Sequence, residues 1–235
     1  MELPVFFAGD MVTGTTAYTM DEPTSKYCVT VLRKTKGDKI LLADGRGGKY
    51  TAEITDDHRK KCVSVIVERE QIPAPVPRLK IGIAFTKNAS RMEWFLEKAT
   101  EIGMAEIIPL ITKRTEKENL KMERLESILV SAMLQSRQWH LPKLPVPQPF
   151  ESLMAAEGQR FIAHCLPGEK QSILKVAHPG ENALLLIGPE GDFTPEEVGL
   201  ALQNGYHPVT LGSTRLRTET AGLVGCTLMA AVNNG

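Results

Sequence analysis

The sequence predicts an α/β protein in which a small β-barrel precedes a larger domain built on a mostly parallel sheet. Three observations carry that reading. Residues 1–70 alternate short apolar runs with turn clusters, the spacing of a small all-β unit. Leu79 to Phe85, Lys87 to Gly103 and Glu106 to Leu110 read as strand, helix and strand, a βαβ unit that calls for parallel pairing. Two further apolar runs, Leu184 to Ile187 and Pro208 to Leu211, each lead straight into a glycine loop. In open α/β sheets ligands gather at such strand ends, where glycine lets the backbone come close.

Within residues 1–70 the strand candidates are Val29 with Val31 and Leu32, Ile40 to Leu42, Tyr50 to Ile54 and Val63 to Val67. Lys36-Gly37-Asp38, Asp44-Gly45-Arg46-Gly47-Gly48 and Asp56-Asp57-His58 supply the turns between them. Arg33 and Lys34 beside Lys36, and Arg46 with Lys49, could meet a phosphate backbone; the same side chains also suit solvated turns. Gln71 to Arg78 reads QIPAPVPR. Alternating prolines favour an extended, semi-rigid chain, so 71–78 is the expected linker and 79–235 the second domain.

In the helix from Lys87, the residues Trp94, Leu96, Ala99 and Ile102 are spaced to pack, while Arg91, Glu93, Glu97 and Lys98 are polar, and Gly103 ends it. Lys113-Arg114 follows the next strand at the ligand end of the sheet. Leu120 to Gln138 reads as a basic amphipathic helix. Prolines 142, 145, 147 and 149 mark a loop inside the domain, since the piece between the two proline runs is too small to fold alone. Phe161 to Leu166 is a further strand. The run Leu184 to Ile187 has no polar alternation and suits a strand covered on both faces. Thr194-Pro195-Glu196-Glu197 then starts a helix: Thr194 caps it, Pro195 fits its first position and Glu197 closes a capping box. That helix should reach about Asn204, with Gly205 ending it in the left-handed conformation. After Gly212 come Arg215, Arg217, Thr218, Glu219 and Thr220, and a small-residue helix from Ala221 to Val232.

Hydrophobic content of 42% and charged content of 24% over 235 residues exclude a disordered or fibrous chain. Met1 to Asp10 lacks the basic start and long apolar run of a secretory leader, and Ala221 to Val232 is too short to span a bilayer, so a soluble, cytoplasmic protein is expected. Cys28, Cys62, Cys165 and Cys226 form no CxxC pair and the five histidines no HExxH, which argues against a metal site or a disulfide frame. Net charge is zero, yet Lys+Arg against Asp+Glu runs 11 to 11 over 1–70, 12 to 8 over 71–145 and 5 to 9 over 146–235. Nucleic-acid binding needs a local basic patch, which this distribution permits. Neither the Walker GK[ST] nor the GxGxxG spacing is present, which disfavours a nucleotide-phosphate binder.

GPEGDFTPEEV (Gly188 to Val198) followed by LGSTRLRTETA (Leu211 to Ala221) resembles the paired signature of the RsmE family, the 16S rRNA uridine N3-methyltransferases of the SPOUT superfamily. Two earlier segments match as well: RMEWFLEKATEIGMAEIIPLITKRTE (Arg91 to Glu116) and VLRKTKGDKILLADGRGGKYTAEI (Val31 to Ile54). The resemblance spans nearly the whole chain in order. It implies a PUA-like RNA-binding barrel over 1–70 and a trefoil-knotted SPOUT methyltransferase domain over 79–235. It further implies S-adenosylmethionine as methyl donor, a homodimer, and N3-methylation of uridine 1498 of 16S rRNA on the small ribosomal subunit. By the same resemblance, Gly188, Pro189, Glu190, Gly191, Leu211, Gly212, Leu216, Arg217 and Thr218 hold the cofactor. Two positions depart from the family's usual residues: Tyr27 stands for a histidine, and Asp192 for the glycine after GPEG. Aspartate tolerates positive φ, so the loop shape is expected to survive.

Methylating N3 of uracil requires that N3 lose its proton and align with the sulfonium methyl. Positioning alone can supply roughly 7–11 kcal/mol. A cation aimed at the uracil oxygens favours the anionic ring, and Arg217 is the candidate. Glu219 is expected to orient Arg217 rather than take the proton, because a carboxylate beside the developing anion opposes it. Arg33, Lys34, Arg91, Arg114 and Arg137 are the candidate RNA contacts.

Overall fold

The computed structural model describes residues 2–116 and 119–233. The chain divides into two compact units: one holds the segment up to Ala74 together with Met133–Leu141, the other Pro75–Ala132 and Pro142–Gly235.

The first unit contains β1 (Val5–Phe7), β2 (Ala17–Thr19), a short helix α1 (Glu22–Lys26), β3 (Lys39–Ala43), β4 (Gly48–Asp56) and β5 (Val63–Gln71). Their order in the sheet is β1-β3-β4-β5-β2, with β1 parallel to β3 and the other pairs antiparallel. Phe6, Met11, Met20, Cys28, Ile40, Leu42, Ile54 and Cys62 form its core. The turn before β4 is organised by Asp44, whose Oδ1 accepts from the backbone of Arg46 (2.7 Å) and of Gly48 (2.8 Å). Met133–Leu141, a segment the sequence reading did not connect with this unit, closes on the same turn: Gly47 N donates to Trp139 O at 2.8 Å and Leu141 N to Gly45 O at 2.9 Å. Arg46 and Lys49 already have partners, with the Arg46 guanidinium donating to Gly9 O and Met11 O and Lys49 paired with Glu70 at 2.7 Å.

One expected strand is not a strand. Residues Tyr27–Val31 form a π-helical turn that continues α1. The local reason lies just upstream: the side chain of Asp21 accepts from Thr24 N at 2.8 Å, and Pro23 occupies the first helical turn. With the chain already helical, Ser25, Cys28, Val29 and Leu32 fall on one face and pack inward, with Ser25 and Cys28 fully buried. Tertiary packing here overrides the strand preference of the β-branched residues.

The second unit holds β6 (Leu79–Ala84), α2 (Ala89–Ile102), β7 (Glu106–Ile111), α3 (Met122–Gln135, whose last turn enters the first unit), β8 (Gln148–Pro149), β9 (Gln159–Ala163), β10 (Gln171–Ser172), α4 (Ile173–Val176), β11 (Ala183–Ile187), α5 (Pro195–Gln203), β12 (His207–Thr210) and α6 (Thr218–Asn233). Seven strands form one sheet in the order β10-β12-β9-β11-β6-β7-β8, and every pairing is parallel. All five residues of β11 are buried, as its unbroken apolar run requires. The local signals hold in detail. Gly103 (φ 95°) and Gly205 (φ 77°) end α2 and α5 in the left-handed region, and Thr194 and Glu197 form the full capping box of α5.

Two expectations need correction. α6 begins at Thr218, not Ala221, because Ala221 N already donates to Arg217 O at 2.7 Å and draws the polar Thr218-Glu219-Thr220 into its first turn. Trp94, spaced to pack, is 43% exposed; Met92, Phe95, Leu96 and Ala99 fill the buried face of α2 instead. No helix among the described residues is long and apolar enough to cross a membrane.

Candidate active site

The strands β12, β9 and β11 are neighbours, and their carboxyl ends, at Thr210, Ala163 and Ile187, open on one side of the sheet. The loops that follow them enclose a cavity of about 560 Å³. Gly188, Pro189 and Glu190 border it from β11, and Leu211, Gly212, Leu216, Arg217 and Thr218 from the segment between β12 and α6. At two of these points glycine relieves a close approach or an unusual backbone angle. A Cβ on Gly188 would sit 3.1 Å from Phe193 N, and Gly212 has φ 152°.

Asp192 adopts φ 64° and makes the turn a structural asset. Its amide donates to Pro189 O at 2.9 Å, while its Oδ1 accepts from Phe193 N (2.8 Å) and its Oδ2 from Cys165 N (2.7 Å). A glycine could take the same backbone shape but could not tie the β11 loop to the one after β9.

Gly191 does not border the cavity; its carbonyl accepts from Arg114 Nη1 at 2.5 Å. The loop carrying Lys113 and Arg114 is held by Glu197, whose Oε1 accepts from Lys113 N at 2.8 Å and whose Oε2 accepts from Thr194 N at 2.8 Å. This carboxylate is buried and serves two elements at once. Glu197→Ala should therefore lower stability by about 1–3 kcal/mol, and Glu197→Gln by less because one acceptor remains. Denaturant unfolding of the two variants checks this; an unchanged midpoint for the alanine would show that the loop does not depend on the contact.

Arg217 is exposed at the cavity rim and makes no ion pair among the described residues. Glu219, only 8% exposed, pairs with Arg91 of α2 at 3.6 Å rather than with Arg217. The fold thus brings together Arg91, Arg114, Arg217, Glu219 and the glycine loops. Arg33, Lys34 and Arg137 belong to the first unit. There Arg33 is exposed with φ 54°, Lys34 is half-buried, and Arg137 pairs with Glu2 at 2.8 Å. Among the described residues no group of three or more His, Cys, Asp or Glu side chains is arranged to hold a metal ion.

His164, Cys165 and Lys170 also line the cavity, which no motif in the sequence signalled. Phe161 to Leu166 reads as one strand, but β9 stops at Ala163 and turns the next residues into the site. Burial, and secondarily the charge of Lys170, push the His164 imidazole below its usual pKa, with Asp192 acting weakly the other way.

Comparison with known proteins places this geometry. Residues 73–230 match the family model described as RNA methyltransferase domain, and residues 21–67 the one described as RNA methyltransferase PUA domain. The chain is 32% identical over 209 residues to the ribosomal RNA small subunit methyltransferase E of Synechocystis, covering 84% of this chain and 67% of that one. A structure from Porphyromonas gingivalis, described as a "probable rRNA-methyltransferase", superposes with a TM-score of 0.93 at 38% identity over 99% of both chains. A Legionella pneumophila protein solved with the bound cofactor SAM superposes with a TM-score of 0.87 at 25% identity, again over 99% of both.

Proposed function

Because this chain belongs to the RNA methyltransferase family, and within it to the ribosomal RNA small subunit methyltransferase E (RsmE) group, we propose that it methylates N3 of a uridine in 16S rRNA, the position equivalent to uridine 1498. Its methyl donor is S-adenosylmethionine. The cavity suits that molecule. Its volume of about 560 Å³ lies in the range of small-molecule sites, and glycine loops allow backbone contact. When bound, the donor supplies an electrophilic methyl group on a sulfonium.

The observation that carries the reading is the exposed Arg217, without an ion-pair partner among the described residues, at the rim of a glycine-loop cavity at three strand ends. Its guanidinium is free to meet the uracil oxygens and to favour the N3 anion over the neutral ring. Glu219 is a positioning residue: its pairing with Arg91 fixes the first turn of α6 and thereby the residue before it. Arg91 and Arg114, both exposed, offer phosphate contacts beside the site, and Arg33, Lys34 and Arg137 offer them on the first unit.

The deciding experiment supplies labelled S-adenosylmethionine and small ribosomal subunits from cells that lack the modification, followed by nucleoside analysis. Label in N3-methyluridine is expected. Label in another nucleoside would keep the family and overturn the N3 assignment; no label with the donor still bound would move the reading toward an RNA-binding assembly factor.

The protein acts, on this reading, in the cytoplasm and as a homodimer. α6 turns Gly222 and Gly225 inward against Phe95 and Leu185 and leaves Ala230 half-buried and Ala231 exposed, small residues that permit close helix contact. Specific activity should fall on dilution as the dimer separates. Constant activity down to concentrations where sedimentation shows only monomer would sink the idea that a second copy completes the site.

A further inference from the structure

Gly188, Pro189 and Glu190 border the cavity, whereas Gly191 turns its open side to Arg114. A Cβ built on Gly191 would lie 3.2 Å from Arg114 Cδ and 3.7 Å from Arg114 Cβ, so the methylenes of the arginine cross the face that a side chain would fill. Beyond them the guanidinium donates from Nη1 to Gly191 O at 2.5 Å. Gly191 does not lie in the left-handed region, so the close arginine, and not a backbone angle, accounts for the glycine.

The loop that carries Arg114 is itself held. Thr112 N donates to Thr115 Oγ1 at 2.8 Å, and Lys113 N donates to the buried Glu197 at 2.8 Å. On the far side of Gly191, Asp192 N donates to Pro189 O at 2.9 Å and closes the turn that presents Pro189 and Glu190 to the cavity. Fixing the Gly191 carbonyl therefore fixes that turn. A loop already held in its binding shape loses less freedom when a ligand arrives, and binds more tightly for it.

We propose that Arg114 is a positioning residue for the methyl donor. It does not border the cavity; it clamps Gly191 and so holds Gly188, Pro189 and Glu190 in the shape that binds S-adenosylmethionine. The proposal rests on the reading of the cavity as the S-adenosylmethionine site. It gives Arg114 a task separate from RNA. A guanidinium carries five N–H donors, so the bond to Gly191 leaves others for the phosphate contact assigned above. The clamp, unlike that contact, operates with no RNA present.

The test is calorimetric binding of S-adenosylhomocysteine, which cannot transfer a methyl group, to the full chain without RNA. Arg114→Ala should weaken binding about five- to tenfold, the scale of one charged hydrogen bond at an exposed side chain. Arg114→Lys keeps cationic donors on a long stem and should recover most of that loss. Gly191→Ala should weaken binding about two- to fivefold by pushing the arginine from its seat, but should have no effect in the Arg114→Ala background, where the seat is empty. Hydrogen exchange at the Asp192 amide should quicken in both single variants. Wild-type affinity in Arg114→Ala, or losses from the two alanines that simply add, would overturn the proposal and leave the cofactor site standing. Failure of the wild-type protein to bind would overturn both. Denaturant midpoints identify a destabilised Arg114→Ala, in which case Arg114→Lys, Gly191→Ala and the Asp192 exchange rate decide.

Discussion

Arg217→Ala should slow methyl transfer about 100- to 1000-fold, the loss seen when one preorganised donor to a developing anion is removed. Affinity for S-adenosylmethionine should stay within a few-fold of wild type. The asymmetry follows from position: the Arg217 side chain is exposed at the rim, while the cavity wall below it is built from the Gly188 and Gly212 loops. Arg217→Lys should fall between, since it keeps the charge but loses the planar fork that can address two oxygens. Single-turnover rates with labelled donor, beside calorimetric affinities, separate the two effects. A wild-type rate in the alanine variant would remove Arg217 from the mechanism, and equal losses in rate and affinity would recast it as a cofactor ligand.

The second large effect concerns the floor beneath that site. A Cβ on Gly222 of α6 would lie 2.6 Å from the Phe95 ring and 2.7 Å from Ile83 Cδ1, both fully buried. Two helices and a strand of the core meet there: α6, α2 and β6. Gly222→Ala should cost about 1–3 kcal/mol through overpacking, and Gly222→Val more. Transfer should decline along with stability, because the helix so displaced starts at Thr218 and Glu219. Gly199 in α5 is the internal control. It is also helical, but an added Cβ meets nothing within 4 Å. Gly199→Ala should raise stability by about 0.5–1 kcal/mol, since only the backbone-entropy term remains. Denaturant midpoints of the three variants test the pair of opposite signs; a neutral Gly222→Val would mean that α6 can pull away from Phe95 without loss.

What the sequence revealed depended on how local each signal was. The cap at Thr194, Pro195 and Glu197 and the left-handed stops at Gly103 and Gly205 need only a few consecutive residues, and they stand in the structure as read. The apolar runs of β6, β7 and β11 announced strands, and that of β11 a strand covered on both faces. Other features had no local signature. Val29 and Val31 alternate as in a strand, but a cap at Asp21 several residues earlier had already committed the chain to helix. β1 and β2 are three residues each and too short to show a period. The Arg91–Glu219 pair joins residues from distant parts of the chain, and no spacing rule connects them. His164 was hidden by an end: a strand read three residues too long kept a loop residue inside it.

The strand order has a consequence for how the protein comes into being. β11 lies between β9 and β6, and those two strands share no edge. Until residues 183–187 leave the ribosome, the nascent chain can pair β6 with β7 and β7 with β8, yet has nothing to join them to β9. The strand that closes this gap ends in the Gly188 loop, and β12, which pairs with β9 and leads into the Gly212 loop, follows later still, so the sheet and its cavity are completed by late, long-range pairings, slow by their nature. A prematurely terminated chain is left with open, apolar strand edges and no catalytic half-site, a product that cellular quality control can distinguish from the finished enzyme.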